Sequence, residues 1–442
     1  MSLDQINQRL RLGCLPEDWT QRWPASEPAF ISGGVFFLQP TYLRHACDTI
    51  RMDAEITGLL LDAAQRIAAE PTLERLASHC HYLLFESGLE LNVRQWPQIS
   101  REIHAAGPLF YAVVYLSGLP SIQRLYRQRG IAESVMIHTL SDLELWIREH
   151  KRRNGAWGFS NLGWMHNHFR EKLIALGRLQ FIPGKFGSPF HFYRDVRSGK
   201  VVGLAEGGCL FRDDGQFANA DYGTIRKGYW ASRLEMGDRQ ITGNPISPWG
   251  VVERREITLA RDAWPEILRS GDPTMTVHIP ASGPMTPKAC GDSFREAVSF
   301  LPRHFPDWPF RAFTCISWLL DPQLEAMDPR PANLAAFPPE WYLHPVDGAT
   351  ERQALERVFD IFEEGTFNLA AAPMRTSLQR GIIAFMRRGG HLRSTGGVLF
   401  PEDLDWGKSV YRKSWKGVIG CFAVSGLRQQ CSLSRSQSHR RP

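Results

Sequence analysis

Residues 274–301, TMTVHIPASGPMTPKACGDSFREAVSFL, run from an alternating apolar stretch through a small-residue turn into an amphipathic helix. In MTVHI, Thr276 and His278 fall on one face of an extended strand, and Met275, Val277 and Ile279 on the other. Pro280 ends the ladder because it has no N–H to donate. Ala281, Ser282 and Gly283 are small enough for a ligand to approach the backbone closely. Thr286 suits an N-cap and Pro287 the first helical position. The helix then opens on unpaired N–H groups and a partial positive charge, a setting for phosphate to which Lys288 adds charge. The same pattern also describes a plain corner, because strand, turn and capped helix are common in α/β proteins.

Outward from this stretch, strand signals dominate on both sides. RLQFIP, PFHFYRDV and GKVVGLAEGG are short β-type runs, with RDVRSGKVV as a hairpin turn. WGVVERREITL reads as one more strand and RDAWPEILRSGD as a helix. FRAFTCISWLL, dense in aromatic and β-branched residues, is the strand after the opening helix. Before them, residues 1–130 are helical in pattern, and PTYLRHACDTIRMDAEITGLLLDAAQRIAAEP carries apolar residues at helical spacing. SDLELWIREHKRRNG reads as a helix begun by Ser141 and Asp142, and GWMHNHFREKLIALG as a second helix closed by Gly177. Runs of helices followed by runs of strands make an α+β protein. The domains expected are a helical one over 1–130, an α+β one over 131–398, and a disordered basic tail over 399–442.

The chain has 442 residues, about two to three domains' worth, with 43% hydrophobic and 22% charged residues as in ordinary globular proteins. Its formal charge of +6 is a property of the tail: residues 408–442 hold eight basic residues and no acid, leaving 44 basic against 46 acidic before them. This argues against a nucleic-acid surface on the folded body. No run is apolar enough for a membrane span, and MSLDQINQRLRLG lacks the apolar segment of a secretory signal. The eight cysteines form no CxxC pair and read as reduced thiols of a cytoplasmic protein. His79-x-His81 and His166-x-His168 diverge on helices, so no metal site is expected.

Several segments resemble bacterial acyltransferase domain-containing proteins, which join a helical N-terminal domain to a GNAT-like C-terminal domain. They are LGRLQF at 176–181, GNPISPWGVV at 243–252, AWPEILRSGDPTMTVHIPASGPMTP at 263–287, ACGDSFREAVSFL at 289–301, SWLLDPQL at 317–324 and SLQRGI at 377–382. The resemblance covers about residues 1–398. It implies transfer of an acyl group from a thioester to an amine, by direct attack in a ternary complex. The donor it implies is a coenzyme A thioester, with an acyl-pantetheine on an acyl carrier protein as the alternative; the sequence leads to the expectation of no metal and no nucleic-acid or membrane partner. In GNAT-type enzymes, backbone N–H groups between the fourth strand and the next helix bind the donor diphosphate. If MTVHI is that strand, the donor is held by Ile279, Ala281, Ser282, Gly283, Thr286 and Lys288. IPASGPMTP lacks the usual donor motif, and Pro280, Pro284 and Pro287 remove three N–H groups.

Acylation of an amine needs a base for the amine proton and an acid for the leaving thiolate. His278 is the candidate base, the alternative being a hydrogen-bonded core histidine. Ser317, at the end of the next strand, is the candidate thiolate acid. Glu256 and Glu253 are rival bases, unless they only line a solvated strand face. A binding module without catalysis and a thioester hydrolase using a His278-activated water are the competing functions.

Overall fold

The computed structural model describes residues 1–28, 30, 34–221, 228–360 and 367–418. They form two compact units. Taking described residues alone, the first holds 1–184 and 274–310, the second 185–273, 311–360 and 367–418. The architecture is α+β, with a helical N-terminal region preceding the sheets.

Helices build most of the first unit. The long periodic run beginning at Pro40 is two helices, Pro40–Thr49 and Ala54–Ala69, broken where Arg51 takes a φ of 57°. Asp53 caps the second by accepting from Glu55 N–H at 2.8 Å. The short helix Phe110–Leu116 is buried at all seven positions, as its uninterrupted apolar sequence requires. GWMHNHFREKLIALG does not stay helical. The helix stops at Phe169, and Ile174–Leu176 is a strand paired antiparallel with Leu179–Lys185. Gly177 turns between them at a φ of 56°, which a side chain would resist. A residue after an apolar run serves a helix end or a hairpin equally well; pairing partners distant in sequence decide.

The strand Pro273–His278 lies beside Leu179–Lys185, and the helix Pro287–His304 follows it. That helix buries Cys290, Gly291, Ser293, Phe294, Ala297 and Leu301 on one face. The rings of Phe294 and Phe181 meet edge to face at 6.0 Å. Burial of such a side chain stabilises by roughly 1.5–3 kcal/mol. Its C-terminus is tied to the helical region by Arg129, which donates to the His304 carbonyl at 3.1 Å and pairs with Asp307 and Glu171, each at 2.8 Å.

The second unit contains a five-stranded antiparallel sheet in the order Val251–Val252, Pro245–Ser247, Val201–Ala205, Phe190–Arg194, Glu266–Leu268. Ala312–Ser317, Thr395–Leu399 and Tyr342–His344 pair antiparallel in that order. Two expectations fail here. RDAWPEILRSGD contains no helix: Glu266–Leu268 is a strand, with Glu266 opposite Tyr193 and Leu268 opposite Phe192. Pro265 is unfit for a helix interior, and the open edge of Phe190–Arg194 supplies hydrogen bonds instead. WGVVERREITL is two strands, Val251–Val252 and Ile257–Ala260, with Glu253 and Glu256 in the break. The tail also begins later than expected. Val410–Val418 is a helix in which Tyr411 is buried and accepts from Phe400 N–H at 2.9 Å. The rest of the expected tail lies outside the described residues.

Among the described residues no helix is long and apolar enough to cross a membrane. The six described cysteines are all free thiols, and no His, Cys, Asp and Glu group there has the makings of a metal site.

Candidate functional site

The first unit brings the opening strand, its loop and two N-terminal helices to one place. Met275 and Val277 are buried, while Thr276 and His278 are only partly so, as the alternation requires. The loop turns at Gly283, whose φ is 65°. Thr286 caps the helix by accepting from Ala289 N–H at 3.2 Å. None of the amides of Ala281, Ser282, Gly283, Met285 and Lys288 donates to a protein acceptor among the described residues. Beside the positive end of an eighteen-residue helix, they form an anion-accepting edge.

Behind His278 lies a buried cluster. Asp142, 3% exposed, accepts from the indole N–H of Trp164 at 2.8 Å and of Trp146 at 3.1 Å. His168 Nε2 lies 2.9 Å from the same Oδ2, out of line for a hydrogen bond, so that contact is chiefly electrostatic. His168 Nδ1 donates to the Trp164 carbonyl at 3.1 Å. Trp164 meets the His278 ring edge to face, with centroids 4.7 Å apart. Burial raises the Asp142 pKa, but His168, Trp164 and Trp146 outweigh it and hold the carboxyl below its ordinary value. Burial lowers His278 to about 4, helped by His168 and opposed by Asp142.

Residues 173–399 match the model of the GNAT-like C-terminal domain, and residues 41–171 that of the N-acyltransferase N-terminal domain. The chain belongs to this family of GNAT-like acyltransferases. No curated protein matches it. Among solved structures it is similar to an acyltransferase in complex with decanoyl-CoA and teicoplanin, at 22% identity and a TM-score of 0.59. The likeness covers 90% of this chain and 99% of that one. An acyltransferase mutant in complex with octanoyl-CoA is similar at 21% identity and a TM-score of 0.57, with the same coverage. A complex with CoA and 10C-teicoplanin is similar at 22% and 0.58, again with 90% and 99% covered. At such identities the likeness shows a shared fold.

The family boundary falls inside the cluster. Asp142, Trp164 and His168 come from the N-acyltransferase segment, and His278 and its loop from the GNAT-like segment. Both segments meet within one compact unit. His278 is not a hydrogen-bonded core histidine, since its ring nitrogens have no hydrogen-bond partner among the described residues. His79 fits that description instead, with Nδ1 2.8 Å from Ser26 Oγ. Lys288 pairs with Asp292 at 2.5 Å, so its charge is shared along the exposed helix flank. Ser317 and Glu256 belong to the second unit. Ser317 Oγ accepts from Leu319 N–H at 3.1 Å and caps a short turn. Glu256 sits 3.4 Å from Arg233 Nη1.

Sequence reasoning missed Asp142, Trp164 and His168. Asp142 carried the signal of a helix-start residue, yet its carboxylate turns inward and makes no cap. A second omission lies in the other unit, where His191 Nδ1 is 2.6 Å from Glu266 Oε1. A carboxylate on one imidazole nitrogen is the arrangement that orients a base. Reading residues 261–272 as a helix hid this pair, because only a strand brings Glu266 beside the strand of His191.

Proposed function

We propose that the chain transfers an acyl group from a coenzyme A thioester to an amine by direct attack. One observation carries this reading: within the GNAT-like segment, a strand ends at an unpaired histidine and continues into a loop of unused amides at a helix N-terminus. Such a loop suits the diphosphate of coenzyme A. The solved acyltransferases of this fold bind CoA and its decanoyl and octanoyl esters, and two are complexes with teicoplanin or its 10C form. That supports a medium-chain donor here.

In the reaction the neutral amine nitrogen attacks the thioester carbonyl carbon and forms a tetrahedral oxyanion. The adduct nitrogen is then positively charged and acidic. His278 is neutral above about pH 4, with a free ring nitrogen, and takes that proton. Collapse breaks the carbon–sulfur bond, and the imidazolium gives the proton to the departing thiolate. An imidazolium with a pKa near 4 protonates a thiolate readily, since free thiols titrate at about 8.5. His278 thus serves as a relay, and no covalent enzyme intermediate is needed.

The test is calorimetry with CoA and decanoyl-CoA, followed by mass spectrometry of a panel of amines incubated with the thioester. Binding and an acylated amine are expected. His278→Ala should lower kcat about 100-fold, the range of general acid–base catalysis, with KM nearly unchanged. No binding of any CoA species would sink the proposal. Thiol release that continues without any amine and disappears in His278→Ala would replace transfer with hydrolysis.

A further inference from the structure

We propose that Trp164 is the positioning residue of His278, holding its imidazole in one orientation for proton transfer. The inference rests on the base assigned above and adds the group that orients it. A general base is ordinarily oriented by a third group hydrogen-bonded to its second nitrogen. His278 has no such group among the described residues. Its neighbour is a ring: Trp164 and His278 meet edge to face at 68°, with centroids 4.7 Å apart. An aromatic pair of this geometry favours one arrangement by about two- to tenfold.

A ring contact orients its partner when the ring is itself fixed, and Trp164 is fixed twice. Its indole N–H donates to Asp142 at 2.8 Å, and its carbonyl accepts from His168 Nδ1 at 3.1 Å. The indole has two side-chain torsions, and an anchored Nε1 restrains both. Asp142 is buried at the start of the helix Asp142–Asn154, where it also accepts from Trp146, four residues along, at 3.1 Å. His168 is fully buried on Leu162–Phe169, the helix that carries Trp164. A chain of contacts therefore runs from Asp142 through Trp164 to His278, all within the first unit.

The indole link suits a relay. A carboxylate placed directly on the imidazole would favour the imidazolium and hinder its release of the proton to the thiolate. An indole orients the ring without adding a charge to it, and leaves both ring nitrogens free. It also covers one side of the imidazole from water, in keeping with the burial that lowers His278 to about 4. The charged or titratable neighbours, His168 and Asp142, act on His278 in opposite directions.

The test compares the full chain with Trp164→Leu, Trp164→Phe and Trp146→Phe, using decanoyl-CoA and an amine that the wild type acylates. Trp164→Leu should lower kcat about tenfold with KM for decanoyl-CoA nearly unchanged, and Trp164→Phe, which keeps a ring without its anchor, about threefold. Trp146→Phe removes the other indole bond to the same carboxylate oxygen and should keep kcat near the wild-type value. The acid limb of the kcat profile follows the loss of the His278 proton, and should move to higher pH in Trp164→Leu because water reaches the imidazole. Histidine-ring NMR titration reads the same rise without turnover, with the His278 signal identified by its loss in His278→Asn. An unchanged kcat or an unmoved His278 titration in Trp164→Leu overturns the inference, while acyl transfer and the base stand. Equal losses of kcat in Trp164→Phe and Trp146→Phe also overturn it, because the cost would then be that of a loosened cluster. Should Trp164→Leu not fold, the two phenylalanine variants decide in the same way. A wild type that acylates no amine, or a fully active His278→Ala, removes the base and this inference together.

Discussion

Replacing Asp142 should unfold the first unit before it changes any chemistry. In Asp142→Ala two partly buried indole N–H groups, of Trp146 and Trp164, lose their acceptor, and the buried His168 loses its carboxylate neighbour. An orphaned buried donor costs about 1–3 kcal/mol, and breaking a buried charged contact about 3–5. These overlap, so the expected loss is about 4 kcal/mol. At ~2–4 °C per kcal/mol for a unit of this size, melting falls by about 10 °C. Asp142→Asn keeps the volume and one acceptor oxygen and should lose about half as much. The pH dependence follows from the depressed pKa. A carboxyl whose folded pKa lies below its unfolded value of about 3.9 stabilises fully above that value. The stabilisation is lost as pH falls through the folded pKa. The gap between wild type and Asp142→Asn should therefore be constant from pH 5 to 8 and close under strong acid. Circular dichroism melts across this range measure it. A melting point for Asp142→Ala within 2 °C of wild type at pH 7 would refute the claim that this carboxylate holds the cluster.

Burial lowers His278 and His166 to about 4 and His79 to about 3, so the unfolded chain binds more protons than the fold between those values and about 6.5. Stability should be full above pH 6.5 and fall toward pH 4, and urea titrations should show a shallower fall for His278→Asn. Gly283→Ala places a side chain at a φ of 65° with nothing within 4 Å of its Cβ, so only backbone strain of about 1–2 kcal/mol is added. Thermal melts should move by a few degrees, while calorimetry should show weaker CoA binding because the loop amides reorient. Arg129→Met leaves Glu171 buried without its partner and frees the His304 carbonyl, and denaturant unfolding should show a loss of about 3 kcal/mol.

Local signals determined part of this protein outright. The alternation in MTVHI, Pro280 as strand end and Thr286 with Pro287 as helix start set the strand, loop and helix as found, because each acts through its own backbone. The resemblance to helical-plus-GNAT-like acyltransferases rested on the same segments and placed the fold. Tertiary structure decided what depended on partners far along the chain. Gly177 closes a hairpin and Glu266 sits in a strand only because pairing edges distant in sequence accept them. Asp142 looks like a helix cap, and becomes a buried anchor only when Trp146 and Trp164 bring their donors to it. Neither a side chain's burial nor the loss of its counter-ion is encoded at its own position. Both are properties of what surrounds it.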